Sequence, residues 1–321
     1  MSAYRFCRTD DIGLLVDALN RCWAPYVPDE PPMTPAGFKR SIRDLQVWCS
    51  SCMVAFSGSD PVAVLIGAKR ASATLVHTIA VHPDHRRQGH GRHLLESLGS
   101  KLAILGPPRI VAEVPEANDA ARDLFEASGY VQEARLTDYV LQQRGADPAA
   151  DGGPAPSGRG TPRRVDEPAL SEHGYARRVE AFVIPIAVGD LAANGLLEPQ
   201  LPVASAGHAA QGMCWERSVE TLTARKDDIA GLAVATEERI EAYVLYTRCG
   251  EIVALGSVVE DDGERLERLL VELRTRGIGA VRIRKVHPVE CSAAPLETLG
   301  FRAAAAHRLY AATLRQGSWR P

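Results

Sequence analysis

Apolar and polar positions in the first part of the chain follow two periods, one typical of helices and one typical of strands. The predicted elements are, in order, a helix over 14–19, strands over 53–56, 62–68 and 75–81, a helix over 94–102, a strand over 110–114, a helix that Asn118 opens and Gly129 ends, and a strand from Tyr130. The sequence GSDP at residues 58–61 predicts a hairpin turn between the first two strands.

The same order of elements returns in the last part of the chain. The predicted elements there are a strand over 179–186, a helix that opens near Trp215 and ends at Leu222, strands over 229–234, 240–246 and 252–255, a helix over 266–273 and a strand over 280–286. The segment LETLGF at 296–301 also parallels FEASGY at 125–130. A tandem repeat of one α/β domain explains this order more economically than two unrelated domains, which are the alternative.

A stretch rich in Gly, Pro and Ala, residues 145–170, lies between the two parts. It cannot bury enough apolar surface to offset the entropy lost on ordering, so we predict a flexible linker. A recognition role for the basic pair Arg163 and Arg164 is the alternative. The predicted domains are therefore residues 1–144 and 171–321.

The overall composition fits a two-domain globular protein of 321 residues, 45% hydrophobic and 24% charged. The net charge of −3 excludes the strongly basic surface of a general nucleic-acid-binding protein. No apolar stretch reaches the roughly 18–20 residues of a membrane span, so no membrane partner is expected either.

The seven cysteines are scattered and odd in number, which favours a reducing compartment and predicts a cytoplasmic protein. Cys49 and Cys52 lack the second ligand pair that zinc requires, so we expect no metal.

The segment at 79–92, IAVHPDHRRQGHGR, runs from a strand through a turn into an amphipathic helix. Gly89 and Gly91 allow a ligand to approach the backbone closely, and the free N–H groups at the helix start favour an anion. Arg86, Arg87 and Arg92 add positive charge around the same turn. The segment predicts a pyrophosphate-binding site, with a plain connecting turn as the alternative. It lacks the third glycine of a Rossmann fingerprint and the ending of a Walker A loop.

This turn closely resembles motif A of the GNAT N-acetyltransferase superfamily, through Val81, Pro83, Arg86, Arg87, Gly89 and Gly91. The next segment resembles motif B of that family, through Asn118, Ala121, Leu124, Phe125, Gly129 and Tyr130. The resemblance covers residues 4–141 and, more weakly, 179–314. It implies an α/β fold, in the α+β arrangement of the family, with two tandem domains that each contain a mixed, mostly antiparallel sheet flanked by helices.

By that resemblance, acetyl-CoA is the co-substrate. Its pyrophosphate is expected on the backbone amides of residues 86–91 and the helix start, and its pantetheine along residues 79–81. Asn118 is expected either to contact the pantetheine or the CoA end, or only to cap its helix. The expected cofactor-binding residues are Ile79, Ala80, Val81, Arg86, Arg87, Gln88, Gly89, His90, Gly91, Arg92, Asn118 and Phe125.

Acetyl transfer from a thioester to an amine needs a polarised carbonyl group and a base. The resemblance implies that the backbone N–H of Val81 is the oxyanion donor. The candidate bases are His77 and Glu113, and an ordinary exposed strand position is the alternative for each.

Phe125 stands where many relatives have a tyrosine that protonates the leaving thiolate. Tyr130 and Tyr139 are candidate substitutes, or packed strand aromatics. A CoA thiolate also leaves tolerably well without an acid, because the reference pKa of a thiol is about 8.5.

The last part of the chain carries carboxylates where the first part carries arginines, at Glu260, Asp261, Asp262 and Glu264. Carboxylates around a pyrophosphate repel it. We therefore expect a degenerate domain without a pyrophosphate loop, which packs against the first domain and closes the acceptor side. Trp215, Glu216 and Arg217, with the preceding region of His208, are candidates for lining that side, and core packing is the favoured alternative for Trp215.

The expected function is transfer of the acetyl group of acetyl-CoA to a primary amine, on a small molecule or a peptide, by direct attack in a ternary complex. Asp29 and Glu30, in the loop after the first helix, are candidates for shaping the acceptor pocket. A non-catalytic module that binds or senses CoA or acyl-CoA is the alternative. The protein is expected to be a monomer, built as a pseudo-dimer, or a homodimer.

Overall fold

The computed structural model describes residues 2–141, 181–198, 214–278 and 281–313. The predicted linker at 145–170 and the region of His208 lie outside these residues.

The first half of the chain contains six strands and four α-helices within residues 2–141. They are β1 (Ser2–Phe6), α1 (Ile12–Cys22), α2 (Pro35–Leu45), β2 (Met53–Ser57), β3 (Asp60–Lys69), β4 (Thr74–Val81), α3 (His90–Leu105), β5 (Arg109–Pro115), α4 (Asp119–Ala127) and β6 (Val131–Leu141). The hairpin between β2 and β3 is as predicted. The helix α2 was missed, although Thr34 caps it by accepting the N–H of Gly37 and Pro35 occupies its first position.

The second half repeats this order of elements within its described residues. They are β7 (Phe182–Pro185), α5 (Val188–Ala193), α6 (Val219–Ala224), β8 (Ile229–Ala235), β9 (Ile240–Thr247), β10 (Glu251–Ser257), α7 (Glu264–Thr275), β11 (Arg282–Val286), α8 (Ala293–Thr298) and β12 (Phe301–Thr313). The predicted helix start near Trp215 is wrong. Ser218 caps α6, because its hydroxyl accepts the N–H of Thr221, and Trp215 lies in a separate single turn.

All twelve described strands form one sheet, in the order β1-β2-β3-β4-β5-β12-β6-β11-β10-β9-β8-β7. The order is symmetric about its centre, because β1 to β6 correspond to β7 to β12. Only β4 with β5 and β10 with β11 pair in parallel, and these two pairs are equivalent in the two halves. The predicted fold class, two tandem copies of a mostly antiparallel α/β unit, is confirmed.

The last strand of each half crosses into the other half. β12 pairs with β5, β6 pairs with β11, and β12 and β6 pair with each other at the centre of the sheet. The two halves therefore share one continuous hydrogen-bonded sheet, and residues from β5 and β11 come close together beside it.

Both faces of the first half of the sheet are covered. Leu15, Val16 and Phe38 of α1 and α2 pack in a core on one face, whereas Leu94 and Leu98 of α3 pack in a core on the other. Trp215 joins the first of these cores from the second half of the chain.

Trp215 is held firmly between the halves. Its indole N–H donates to the carbonyl oxygen of Leu45 at 2.8 Å, and the guanidinium of Arg70 stacks 3.8 Å from the centre of its ring. Only 5% of the residue is exposed, so Trp215 packs in a core.

Candidate functional site

Two cavities open against β4, where its pairing with β5 has ended. The two parallel strands pair at Thr74 with Ile110 and at Leu75 with Val111. From there to Val81, β4 has no paired neighbour on that side among the strands that the structure describes. Val76, His77 and Thr78 line one cavity, and Ile79, Ala80 and Val81 line the other.

The larger cavity has a volume of about 680 Å³. Besides β4, its walls are the turn at residues 85–91, the first turn of α3 and one side of α4. This volume lies in the usual range for small-molecule sites.

The turn before α3 leaves the start of the helix open. Arg87 and Gly89 both adopt positive φ, at 60° and 83°, and this turns the chain sharply into α3. Gly89 is the N-cap residue, and no side chain of a described residue caps the helix. The first N–H groups of α3 are therefore available to an anion, and the helix dipole favours one there.

The two glycines of the turn, Gly89 and Gly91, have different structural roles. A Cβ on Gly89 would meet no described atom within 4 Å, so there is open space beside this residue. Glycine is favoured here because it adopts a positive φ without strain. A Cβ on Gly91 lies 3.0 Å from Cδ2 of Leu124, so glycine there lets α3 and α4 pack closely. The expectation that both glycines serve ligand approach fits Gly89 better than Gly91.

The three arginines of the turn differ in their partners. Nε of Arg86 donates to the hydroxyl of Tyr26 at 2.6 Å, and Arg92 donates to the carbonyl oxygen of Ala127 at 2.6 Å. Arg87 lines the cavity and makes no hydrogen bond or ion pair with any residue the structure describes.

Ten of the twelve expected cofactor-binding residues line the larger cavity, namely Ile79, Ala80, Val81, Arg86, Arg87, Gly89, His90, Gly91, Arg92 and Asn118. Gln88 does not line it, and its side-chain amide faces the carbonyl oxygen of Asp84. The imidazole of His90 is turned to the hydroxyl of Tyr4, at 2.8 Å. Asn118 caps α4 by accepting the N–H of Ala121 and also lines the cavity, so its two proposed roles are compatible.

Phe125, which was expected to bind the cofactor, lies outside the lining of the larger cavity. The residue is 2% exposed and does not line that cavity. Its ring packs edge-on against Tyr130 and stacks on Tyr310, with centroids 5.1 and 6.0 Å away. Helix α4 presents Leu124 to the cavity instead.

The smaller cavity, of about 360 Å³, lies between the two halves of the chain. It shares Trp23 and Val27 with the larger one. The first half contributes the predicted residues Glu30, His77 and Glu113, whereas Asp29 does not line it. The second half contributes Glu216, Arg284 and Lys285.

Glu113 is not an exposed strand residue, because its side chain is 4% exposed and fully engaged. The ammonium of Lys285 lies 2.9 Å from one carboxylate oxygen, and the backbone N–H of Trp215 donates to the other at 2.7 Å. Cys214 approaches the same carboxylate at 3.6 Å. Three protein groups thus already contact this carboxylate, which makes Glu113 a weaker candidate for the base than His77.

Lys285 bridges two carboxylates from a strained backbone position. Its Nζ lies 2.9 Å from Glu216 as well as from Glu113, and its φ is 52°, which is rare for a buried residue other than glycine. Its N–H donates to Asp138 at 2.8 Å, at a bulge in the pairing of β11 with β6. Burial raises the pKa of Glu216, but the charge and hydrogen bond of Lys285, together with the charges of Arg284 and His77, lower that pKa to about 2.

His77 lines the smaller cavity, and its side chain is exposed there. Its side chain is accessible from the cavity, yet the protein packed around it lowers its pKa below the ordinary value of 6.5. Glu216 and Glu113 act in the opposite direction without reversing the shift. The imidazole is therefore neutral at pH 7 and able to accept a proton.

Tyr26 is a site residue that the sequence analysis missed. Its hydroxyl donates to the carbonyl oxygen of Val81 at 2.5 Å, and its ring lies under the guanidinium of Arg86. Among the described residues that line the two cavities, it is the one tyrosine. Tyr130 and Tyr139 are buried in cores, and burial raises the pKa of both.

In the second half, helix α7 corresponds to α3, and a carboxylate of the protein binds the N–H groups at its start. The carboxylate of Asp261 accepts the N–H groups of Gly263 and Arg265, at 3.2 and 3.0 Å, and binds the guanidinium of Arg265. The amides that stay open in α3 are thus satisfied in α7 by the protein's own carboxylate.

The described ranges contain no group of three His, Cys, Asp or Glu side chains arranged for a metal ion, and Cys49 and Cys52 are separately buried thiols. None of the helices in these ranges combines the length and apolar character needed to cross a membrane.

Comparisons with known proteins agree with this geometry. Residues 15–130 match the model of the acetyltransferase (GNAT) family. The L-amino acid N-acyltransferase MnaT of Escherichia coli (strain K12) is 35% identical over 63 residues, which cover 20% of this chain and 37% of that protein. The [Ribosomal protein bS18]-alanine N-acetyltransferase of the same strain is 39% identical over 77 residues, 24% of this chain and 51% of that protein. The chain therefore spans about half, or less, of the length of these relatives.

Two solved structures extend the similarity to the whole chain. A tandem GNAT protein from the clavulanic acid biosynthesis pathway has a TM-score of 0.59 and 17% identity, covering 99% of this chain and 100% of that one. A putative acetyltransferase from Pyrococcus horikoshii has a TM-score of 0.56 and 15% identity, covering 98% and 90%. At these identities the similarity concerns the fold. Residues 15–130 are thus similar to the acetyltransferase (GNAT) family, and the chain as a whole has the fold of the tandem GNAT protein.

Proposed function

We propose that this protein transfers the acetyl group of acetyl-CoA to the primary amine of a small molecule or peptide, by direct attack in a ternary complex. The observation that carries the proposal is the course of β4. Residues 76–78 line the smaller cavity and residues 79–81 line the larger one. A donor in one cavity and an acceptor in the other therefore meet along a single strand, and this supplies the proximity that transfer requires.

The larger cavity fits CoA by the chemistry of its walls. The uncapped start of α3 and the unpaired side chain of Arg87 suit a diphosphate, and the unpaired edge of β4 suits the amide groups of a pantetheine arm. Residues 79–92 would hold the molecule.

Acetyl-CoA, when bound, supplies a thioester whose carbonyl carbon forms the new C–N bond and whose C–S bond breaks. We propose that Val81 polarises the carbonyl. The N–H of His82 donates to Val62 in β3 at 2.8 Å, so the N–H of Val81 faces the opposite, unpaired edge of β4.

His77 is the proposed base. It lines the acceptor cavity and is neutral at pH 7, so it can take the proton that the acceptor ammonium loses. Glu113, the other candidate, is held by Lys285 and Trp215. Tyr26 is the proposed donor of a proton to the leaving thiolate, in place of the family tyrosine that Phe125 replaces, because its hydroxyl lies beside Val81.

We further propose that the second half binds no CoA and instead completes the acceptor cavity. Asp261 satisfies the start of α7, and Glu216, Arg284 and Lys285 form a wall of the smaller cavity. The exchanged strands β6 and β12 support a monomer built as a pseudo-dimer. All seven cysteines are unpaired, which supports work in a reducing compartment such as the cytoplasm.

Calorimetric titration with acetyl-CoA, followed by a thiol-release assay across a panel of primary amines, tests the proposal. We expect saturable binding with one site per chain, and amine-dependent release of CoA above the rate of hydrolysis. Binding without amine-dependent release would favour the alternative, a module that binds or senses CoA.

A further inference from the structure

Arg284 places an unpaired positive charge in the wall of the smaller cavity. It lies on β11, is half-buried, and lines the cavity. It makes no hydrogen bond and no ion pair with any residue in the described part of the chain. A guanidinium carries five N–H donors in a planar fork, and a half-buried one without an acceptor is costly.

Two of the three carboxylates that line the cavity are paired with Lys285. Its ammonium lies 2.9 Å from both Glu113 and Glu216, whereas Glu30 belongs to the loop after α1. Glu216, Glu251 and Asp138 act on Arg284 only through their longer-range fields, which raise the pKa of Arg284 against the opposite effect of burial. The ammonium of Lys285 is thus paired with two carboxylates of the protein. The guanidinium of Arg284 lines the cavity and has no ion-pair partner among the described residues.

The two halves of the chain contribute different functional groups to the smaller cavity. The first half supplies Glu30, an exposed carboxylate without a side-chain partner among the described residues, and the proposed base His77. The second half supplies the free guanidinium. The volume of about 360 Å³ suits a small molecule that spans both.

We propose that the acceptor is a small amine that also carries an oxyanion, a carboxylate or a phosphate, and that Arg284 binds this group while the amine faces His77. The inference rests on the proposed function, because it names the substrate class of the same site. A guanidinium fork matches the two oxygens of a carboxylate or phosphate in a bidentate contact. Arg284 is then a specificity-determining residue that the degenerate half supplies to the active half.

Binding measurements test this proposal independently of turnover. Calorimetric titrations are made on the full chain saturated with CoA, which carries no acetyl group and so permits no transfer. The probes are matched pairs: free L-amino acids against their carboxamides, and O-phosphoethanolamine against ethanolamine. The variants are Arg284→Gln and Arg284→Lys. The control is Arg282→Gln, because Arg282 lies on the same strand, is exposed, and does not line the cavity.

We expect wild type to bind at least one anionic member of a pair about 10- to 100-fold more tightly than its neutral partner, the range of a charge-assisted contact. Arg284→Gln should abolish this difference while leaving the affinity for neutral amines within about twofold. Arg284→Lys should restore part of it, and Arg282→Gln should keep all of it. The preferred pair then tells whether the oxyanion is a carboxylate or a phosphate.

Three outcomes would overturn the inference: equal binding within every pair, no binding of any probe, or equal losses for anionic and neutral probes in Arg284→Gln with an unchanged melting temperature. A thiol-release assay with acetyl-CoA on the same samples separates this from the proposed function. A binding preference lost in Arg284→Gln, without CoA release, would uphold the inference and refute the transferase.

Discussion

The ammonium of Lys285 lies 2.9 Å from the carboxylate of Glu113, and the two residues belong to opposite halves of the chain. Glu113 is on β5 and Lys285 is on β11, the two strands that flank the exchanged pair at the centre of the sheet. Glu216 completes the cluster from the turn around Trp215. The two halves therefore meet at a buried ionic cluster that forms part of the wall of the acceptor cavity.

Lys285→Met should lower the free energy of unfolding by about 3–5 kcal/mol, because it leaves two carboxylates without their buried counter-charge. Methionine keeps much of the volume of the side chain and the same backbone strain. Urea unfolding measures the loss. Arg282→Met, on the exposed face of the same strand, should cost less than about 0.5 kcal/mol. The double variant with Glu113→Gln should recover part of the loss, and a loss no larger than that of Arg282→Met would show that the cluster is not stabilising.

Gly89→Leu should weaken acetyl-CoA binding at least tenfold, because a side chain at this position enters the open space at the start of α3. Gly58→Leu is a matched control: Gly58 has a φ of 62°, an added Cβ there also meets nothing within 4 Å, and it lies in the β2–β3 turn. Each change should cost about 1–3 kcal/mol of stability through strain at positive φ. Calorimetry should find lost binding only for Gly89→Leu, and equal affinities in the two variants would contradict the proposed phosphate site.

His77 should give kcat/KM an acidic limb. Burial lowers the pKa of His77 below 6.5, so the residue is protonated, and unable to act as a base, only at pH values below that shifted pKa. The value of kcat/KM should therefore rise as the pH passes through the shifted pKa of His77. The part of the profile that is due to His77 should reach its plateau below pH 7. His77→Gln should remove the limb and lower kcat about 10²–10⁴-fold. His93→Gln, an exposed histidine on α3, should keep both limb and rate. An unchanged limb in His77→Gln would exclude His77 as the base.

Tyr26→Phe should lower kcat about 10²-fold or more, in the range typical of general acid catalysis. The change deletes the hydroxyl that donates to Val81 and accepts from Arg86. Steady-state kinetics measure the loss. Tyr139→Phe, a buried tyrosine that lines neither cavity, should leave the rate as in wild type. An unchanged kcat in Tyr26→Phe would exclude Tyr26 as the proton donor.

Phe125→Tyr, which restores the residue of many relatives, should destabilise the protein without raising kcat. The ring packs between Tyr130 and Tyr310, so we expect the added hydroxyl to be buried without a partner, at a cost of about 1–3 kcal/mol. Thermal unfolding and the thiol-release assay measure the two effects. A severalfold gain in kcat would mean that residue 125 does reach the reacting sulfur.

The parts of the fold that depend on local pattern were predictable. Hydrophobic periodicity and cap residues identified most strands and helices of both halves, because these signals act over a few residues. The helix α2 was missed despite Thr34 and Pro35, since its apolar spacing is sparse and only Phe38 is fully buried. Trp215 was assigned to a helix start, although the cap signal belongs to Ser218.

The candidate site divides in the same way. The turn from residue 79 to residue 92 is continuous in sequence, so its strand, its glycine and its arginines predicted one wall of the larger cavity by themselves. Tyr26 could not be found in this manner, because its contact with Val81 joins residues 55 positions apart. Phe125 was misplaced because a motif gives a position on α4 but not the face of the helix that reaches the cavity.

The sequence by itself determined the repeat, the order of elements and the open helix start, since each rests on residues that are near neighbours in the chain. Only the tertiary structure decided that β6 and β12 change places, because strand pairing over such separations leaves no local periodicity. That exchange brings Lys285 to Glu113 and Arg284 into the smaller cavity. The positive charge that we propose for binding the acceptor could therefore be located only once both halves of the sheet were in place.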